Sequence, residues 1–120
     1  MTPNRSSELS SLLVACLCAD WCGACREYKP VFDSLARKFP NAWFLWVDVE
    51  DEADLIDPIE VEDFPTILIA VGDNPLFFGT VLPHLETIER LIQDKITVGN
   101  HAVLNDKAVV KLVRSLQNQR

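Results

Sequence analysis

The sequence predicts an α/β domain with a central mixed sheet of about four strands flanked by helices. Three observations carry this. Short apolar runs of strand length alternate with amphipathic stretches of helical period. The last two strand-like runs are separated only by Gly72-Asp73-Asn74-Pro75, a turn by composition, so the sheet closes with a hairpin. A chain of 120 residues with 48% hydrophobic content supplies one ordinary core and no second one.

Taken in order, residues 1–11 are polar and form an N-terminal arm. Leu12 to Ala19 is a continuous apolar run, as in a strand covered on both faces. From Gly23 to Phe39 the period lengthens. Tyr28, Val31, Phe32, Leu35, Ala36 and Phe39 make one helical stripe, with Arg26, Glu27, Lys29, Asp33, Arg37 and Lys38 mostly off it. Pro30 should kink that helix, because it removes a hydrogen bond and crowds the preceding turn. Ala42 to Val49 reads as a second strand, with Trp43 and Trp46 on opposite sides. A short acidic helix over Glu52 to Asp57 stops at Pro58. Thr66 to Val71 is the third strand, and Leu76 to Val81 returns antiparallel to it. Leu85, Ile88, Leu91 and Ile92 space a helix over His84 to Ile96. The domain is thus placed at 12–96. An extension at 97–120 carries a last amphipathic helix through Ala108, Val109, Leu112, Val113 and Leu116, expected to pack on the domain.

A formal net charge of −7 argues against nucleic acid or an anionic membrane surface as the main partner. No stretch approaches the roughly 18 apolar residues of a membrane span. Nine of the eighteen acids fall between Asp48 and Asp63, with no Lys or Arg among them, which reads as a solvated acidic face rather than a dedicated docking surface. Leu13-Val14-Ala15-Cys16 has the outward form of a lipoprotein cleavage site, yet only four consecutive apolar residues precede Cys16. A signal segment needs about 7 to 15, so an unprocessed, cytoplasmic and monomeric chain is expected.

All four cysteines, Cys16, Cys18, Cys22 and Cys25, lie within ten residues, a local redox or metal signal rather than a disulfide scaffold. If Cys22 caps the N-terminus of the helix, unpaired N–H groups and the helix dipole favour its thiolate, the form that attacks disulfides. Cys25, one turn along, can then resolve the mixed disulfide. Cys16 and Cys18 share one face of a strand with Cα atoms about 6.6 Å apart. They read as buried apolar fillers in preference to a second redox pair. Pairing of Cys18 with Cys22 or Cys25 would require the strand end to deform. A zinc site is disfavoured because a strand pair beside a helix start does not converge easily on a tetrahedron, so no metal is expected. His84 and His101 are single, unclustered residues.

Trp21-Cys22-Gly23-Ala24-Cys25, Pro30, Val47-Asp48-Val49-Glu50 and Phe64-Pro65-Thr66 together resemble thioredoxin and the wider thioredoxin-like family from about Leu12 to Ile96. A lone Cys-x-x-Cys is weak; the same motif at a strand-to-helix junction, with an aromatic-Pro-Thr triplet about forty residues later, is specific. The resemblance implies a thioredoxin-like fold with a shortened N-terminus and an extra C-terminal helix. It implies thiol–disulfide exchange with protein substrates through Cys22 as nucleophile and Cys25 as resolving thiol. No cofactor is needed beyond a redox-active Cys22–Cys25 disulfide. Trp21 would shield the site, Gly23 and Ala24 shape the turn into the helix, and Pro65, in cis, would present backbone together with Phe64 to a substrate strand, beside Thr66. Partners would be protein thiols and disulfides and an upstream reductase or oxidant. The alternative reading is a docking or chaperone module with weak or no redox turnover.

Three departures from the family pattern stand out. Cys16 takes the place of a buried carboxylate six residues before the nucleophile, and Trp46 that of its lysine partner. A charged pair is thereby exchanged for two uncharged groups. A buried thiol is a poor base at neutral pH, so slow resolution by Cys25 is expected. Val81-Leu82-Pro83 replaces a small glycine-containing loop lining the substrate groove. Only eleven residues precede Leu12, too few for the family's first strand and helix, so the helix near Ala108 to Leu116 is expected to cover the sheet face left open.

Overall fold

The structure is a computed structural model, and it describes residues 12–19, 22–40, 42–56, 65–80, 84–97 and 103–118. The expectations for the arm at 1–11, Trp21, Asp57 to Phe64, Val81-Leu82-Pro83 and His101 lie outside the described residues.

Strand β1 (Leu12–Cys18) is the centre of the sheet, in the order β2-β1-β3-β4. It runs parallel to β2 (Trp43–Asp48) and antiparallel to β3 (Thr66–Val71), which pairs antiparallel with β4 (Asn74–Thr80). Helix α1 (Gly23–Lys38) crosses from β1 to β2, running unbroken through Pro30, and α2 (Ala53–Ile56) follows β2. Helices α3 (Leu85–Thr97) and α4 (Lys107–Gln117) complete the described elements.

The two-residue period of β1 sorts the core into two layers. Leu12, Val14, Cys16 and Cys18 pack with Tyr28, Phe32 and Leu35 of α1 and Ile88 and Ile92 of α3. Leu13, Ala15 and Leu17 face the other way, with Leu68 and Ala70, onto Val109, Leu112, Val113 and Leu116 of α4. Trp46 joins the first layer and Trp43 the second, as their odd spacing requires. Lys38 Nζ reaches Glu89 Oε1 at 3.1 Å and ties α1 to α3.

One boundary differs from the sequence expectation. Strand β4 begins at Asn74, not Leu76, because the turn needs only Gly72 and Asp73: Gly72 takes φ +58°, a left-handed conformation open to glycine. Pro75 is therefore a strand residue, tolerated because β4 is an edge strand and the ladder shifts register between Ile69 and Ala70. The C-terminal segment is anchored to this hairpin at two points. Leu104 N–H donates to Pro75 O at 2.9 Å, and Gln117 Nε2 donates to Gly72 O at 2.8 Å. Between them Asp106 caps α4, its carboxylate accepting from Ala108 N at 2.9 Å and Val109 N at 3.3 Å.

Candidate active site

The site forms where β1 hands over to α1. Cys22 has extended backbone (φ −85°, ψ 119°), and its carbonyl accepts the first helical bond from Arg26 N at 3.3 Å, which makes it the N-cap. Its N–H bonds Ala19 O at 3.0 Å, tying the helix start to the strand end. The Cys22 sulfur makes no capping hydrogen bond, is part-exposed, and is a free thiol. Gly23 opens the helix, and a Cβ there would meet none of the described residues within 4 Å. Ala24 is part-exposed in the same turn.

Cys25 belongs to the buried stripe Cys25, Tyr28, Phe32 and Leu35, so its side chain turns inward onto β1. There it is bonded to Cys18, with Cα atoms 5.7 Å apart. One expectation is corrected by this bond: Cys18 is a disulfide partner rather than an apolar filler, and Cys22 is left free beside it. The strand end does not deform to reach it: Cys18 still pairs with Asp48 in the β1–β2 ladder, and its carbonyl accepts from Val49 N at 2.8 Å. The separation is unremarkable for a disulfide, whose Cα atoms usually lie about 4.4–6.8 Å apart. The sequence carries part of this signal, since the strand period of Cys16 and Cys18 and the helical period of Cys25 with Tyr28 and Phe32 put all three cysteines in one layer, but it does not carry their separation.

Cys16 Sγ lies 3.5 Å from Cys18 Sγ. Because Cys18 is bonded and carries no proton, the Cys16 S–H is the donor. Burial pushes the Cys16 thiol far above the ordinary range, and the Lys29 ammonium offsets this only in part, so Cys16 keeps its proton at neutral pH. It serves as a hydrogen-bond donor there and not as a base.

Cys16 pairs across the ladder with Trp46. The Trp46 ring stacks on Tyr28 at 6.4 Å, meets Phe32 edge-on at 5.7 Å, and lies 4.9 Å from Lys29 Nζ. The Tyr28 hydroxyl is buried with no hydrogen-bond partner among the described residues. Pro65 and Thr66 are buried at the start of β3. Leu17 pairs with Thr66 at the end of the β1–β3 ladder. The structure thus brings together Cys16, Cys18, Cys22, Cys25 and Trp46, while Trp21 and Phe64 lie outside the described residues.

Among the described residues no group of three or more His, Cys, Asp or Glu is placed to hold a metal ion, and no helix is long and apolar enough to cross a membrane.

Comparison with known proteins gives a consistent result. The thioredoxin family model matches residues 5–94. A thioredoxin H-type of Oryza sativa subsp. indica is 39% identical over 65 residues, 54% of this chain and 53% of that protein. The thioredoxin of Sus scrofa is 46% identical over 63 residues, 52% of this chain and 58% of that protein. The chain spans about half the length of these curated relatives. The crystal structure of thioredoxin from Trypanosoma brucei brucei matches with a TM-score of 0.66 at 25% identity, covering 74% of this chain and 78% of that one. The four-stranded mixed sheet flanked by helices is the shared architecture.

Proposed function

The chain belongs to the thioredoxin family, and from that premise we propose that it is a thiol–disulfide oxidoreductase acting on protein disulfides through Cys22 and Cys25. One observation carries the reading: the N-cap residue of α1 carries a free, part-exposed thiol, one turn before a buried cysteine. The Cys22 thiolate attacks a substrate disulfide, forming one S–S bond and expelling one substrate thiolate. Cys25, once reduced, attacks the Cys22 sulfur, expels the second substrate thiolate and leaves a Cys22–Cys25 disulfide. Two electrons pass to the substrate, and an upstream dithiol reductase restores the pair; an oxidant would drive the same steps backwards.

Gly23 has no side chain to obstruct a substrate backbone that approaches Cys22. In this reading Pro65 is cis and with Phe64 offers main-chain groups to the substrate strand, with Thr66 behind them, while Trp21 and Ala24 shape the approach. Cys16 and Trp46 supply no base, so resolution by Cys25 is slow relative to a site with a carboxylate. The acidic run after β2 favours substrates that are not acidic. A monomer in the cytoplasm fits cysteines gathered at one site, with none left for a structural disulfide elsewhere.

Reduction of insulin disulfides in the presence of dithiothreitol tests the proposal. Wild-type protein should accelerate the reaction, and Cys22→Ser should return it to the uncatalysed rate. Equal rates for the two would refute it, and absence of cysteine-dependent turnover with any reductant would leave a docking module. The potential of the pair sets the direction: about −270 mV suits a reductant and about −120 mV an oxidant.

A further inference from the structure

We propose that Cys18 is a second resolving thiol, which takes Cys25 out of a Cys22–Cys25 disulfide by intramolecular exchange and returns Cys22 as a free thiol. The proposal rests on reading Cys22 and Cys25 as the exchanging pair. Its ground is the arrangement of four sulfurs: Cys18 bonded to Cys25, Cys16 at 3.5 Å from Cys18, and Cys22 free at the helix cap above them.

The step balances without an external oxidant. The Cys18 thiolate attacks Cys25 Sγ, the Cys18–Cys25 bond forms, the Cys22–Cys25 bond breaks, and the electron pair leaves on Cys22. The proton that Cys18 gives up matches the one that Cys22 takes from water. Three features favour this direction. The leaving sulfur is the part-exposed one, where water solvates its charge, whereas Cys18 and Cys25 are each only 1% exposed. Cys16 Sγ lies 3.5 Å from Cys18 Sγ and keeps its own proton, so it can hydrogen-bond the sulfur that attacks. The regular β1–β2 ladder around Cys18 fixes it at disulfide distance from Cys25 without a backbone rearrangement.

The oxidised protein therefore differs from a two-cysteine oxidoreductase in one respect. It holds its disulfide out of solvent and still presents a reactive Cys22. A mixed disulfide made by that Cys22 persists, because Cys25 is already bonded and cannot resolve it. Oxidation thus converts the site from a two-thiol to a one-thiol mode.

Asp20 allows a direct test, since cleavage before Asp20 and Asp33 puts Cys16 and Cys18 in fragment 1–19 and Cys22 and Cys25 in fragment 20–32. Reduced protein is oxidised with one equivalent of diamide, sampled over time, quenched in acid, capped with N-ethylmaleimide under denaturing conditions and cleaved. Separate fragments with an unlabelled 20–32 should appear first. They should give way to joined fragments carrying one label on Cys22, at least tenfold in excess at the end. Cys18→Ala should keep the fragments separate with 20–32 unlabelled, and Cys22→Ser should still join them. An end state of separate fragments in the wild type, or failure of Cys22→Ser to join them, overturns the proposal. Insulin turnover with separate fragments defeats this inference alone. Joined fragments without Cys22-dependent turnover make the bond merely structural and overturn both readings.

Discussion

Replacing Leu116 by Ala is the sharpest test of how the C-terminal helix holds the fold. Leu116 is fully buried, and with Val109, Leu112 and Val113 it closes the sheet face formed by Leu13, Ala15, Leu17, Leu68 and Ala70. Burying such side chains stabilises by about 1.5–3 kcal/mol each, so the four together contribute roughly 6–12 kcal/mol. That is comparable with the whole stability of a domain, about 5–15 kcal/mol. A chain ending at residue 96 is therefore expected not to fold. Leu116→Ala, which leaves the helix in place but opens a cavity, should cost about 2–5 kcal/mol. At about 3–6 °C per kcal/mol for a chain of this size, a loss of about 3 kcal/mol lowers Tm by roughly 9–18 °C. Urea unfolding and thermal melts followed by far-UV circular dichroism read this directly, with Lys111→Ala on the exposed face as the control, expected within about 0.5 kcal/mol. Below Tm, insulin turnover should be unchanged, because the sulfur cluster lies in the opposite layer. A loss under about 1 kcal/mol for Leu116→Ala, or a truncated chain that melts like the full one, would refute the packing argument.

Burial raises the folded-state pKa of Cys16 above its unfolded value near about 8.5, so its contribution to stability is complete below that value and is lost as pH rises above it. In the oxidised protein, where Cys18 and Cys25 do not titrate, wild-type stability should fall between pH 9 and 10 by about 1 kcal/mol more than that of Cys16→Ala; parallel slopes in urea titrations would contradict this. Tyr28→Phe removes a buried hydroxyl that has no partner among the described residues and should stabilise the protein by about 1–3 kcal/mol, whereas a loss of stability would show that the hydroxyl is bonded in solution.

Much of this architecture can be read in the residues because local pattern and global packing agree. Leu12 to Cys18 is apolar at every position since both faces of β1 are covered, and the stripe Val109, Leu112, Val113 and Leu116 is the face α4 buries. Pro75 was misread because proline suggests a turn wherever the chain must reverse; only the edge position of β4 and its shift in register make it a strand residue. Cys18 was misjudged for a different reason. Strand spacing measures the reach between Cys16 and Cys18, but the reach to Cys25 depends on how α1 sits on the sheet, a tertiary distance that no spacing along the chain contains.

The tie between Gln117 and Gly72 has a practical consequence. Gly72 follows Val71, which pairs with Leu12 at the start of β1, while Cys18 and Cys22 sit at its other end. Six residue steps along β1 put about 20 Å between the two ends. A fluorophore, a surface tether or a fused domain attached just beyond α4 would thus leave from the pole opposite the reactive thiol. The protein can be immobilised by that pole with Cys22 facing outward, an orientation suited to trapping partners from solution as mixed disulfides.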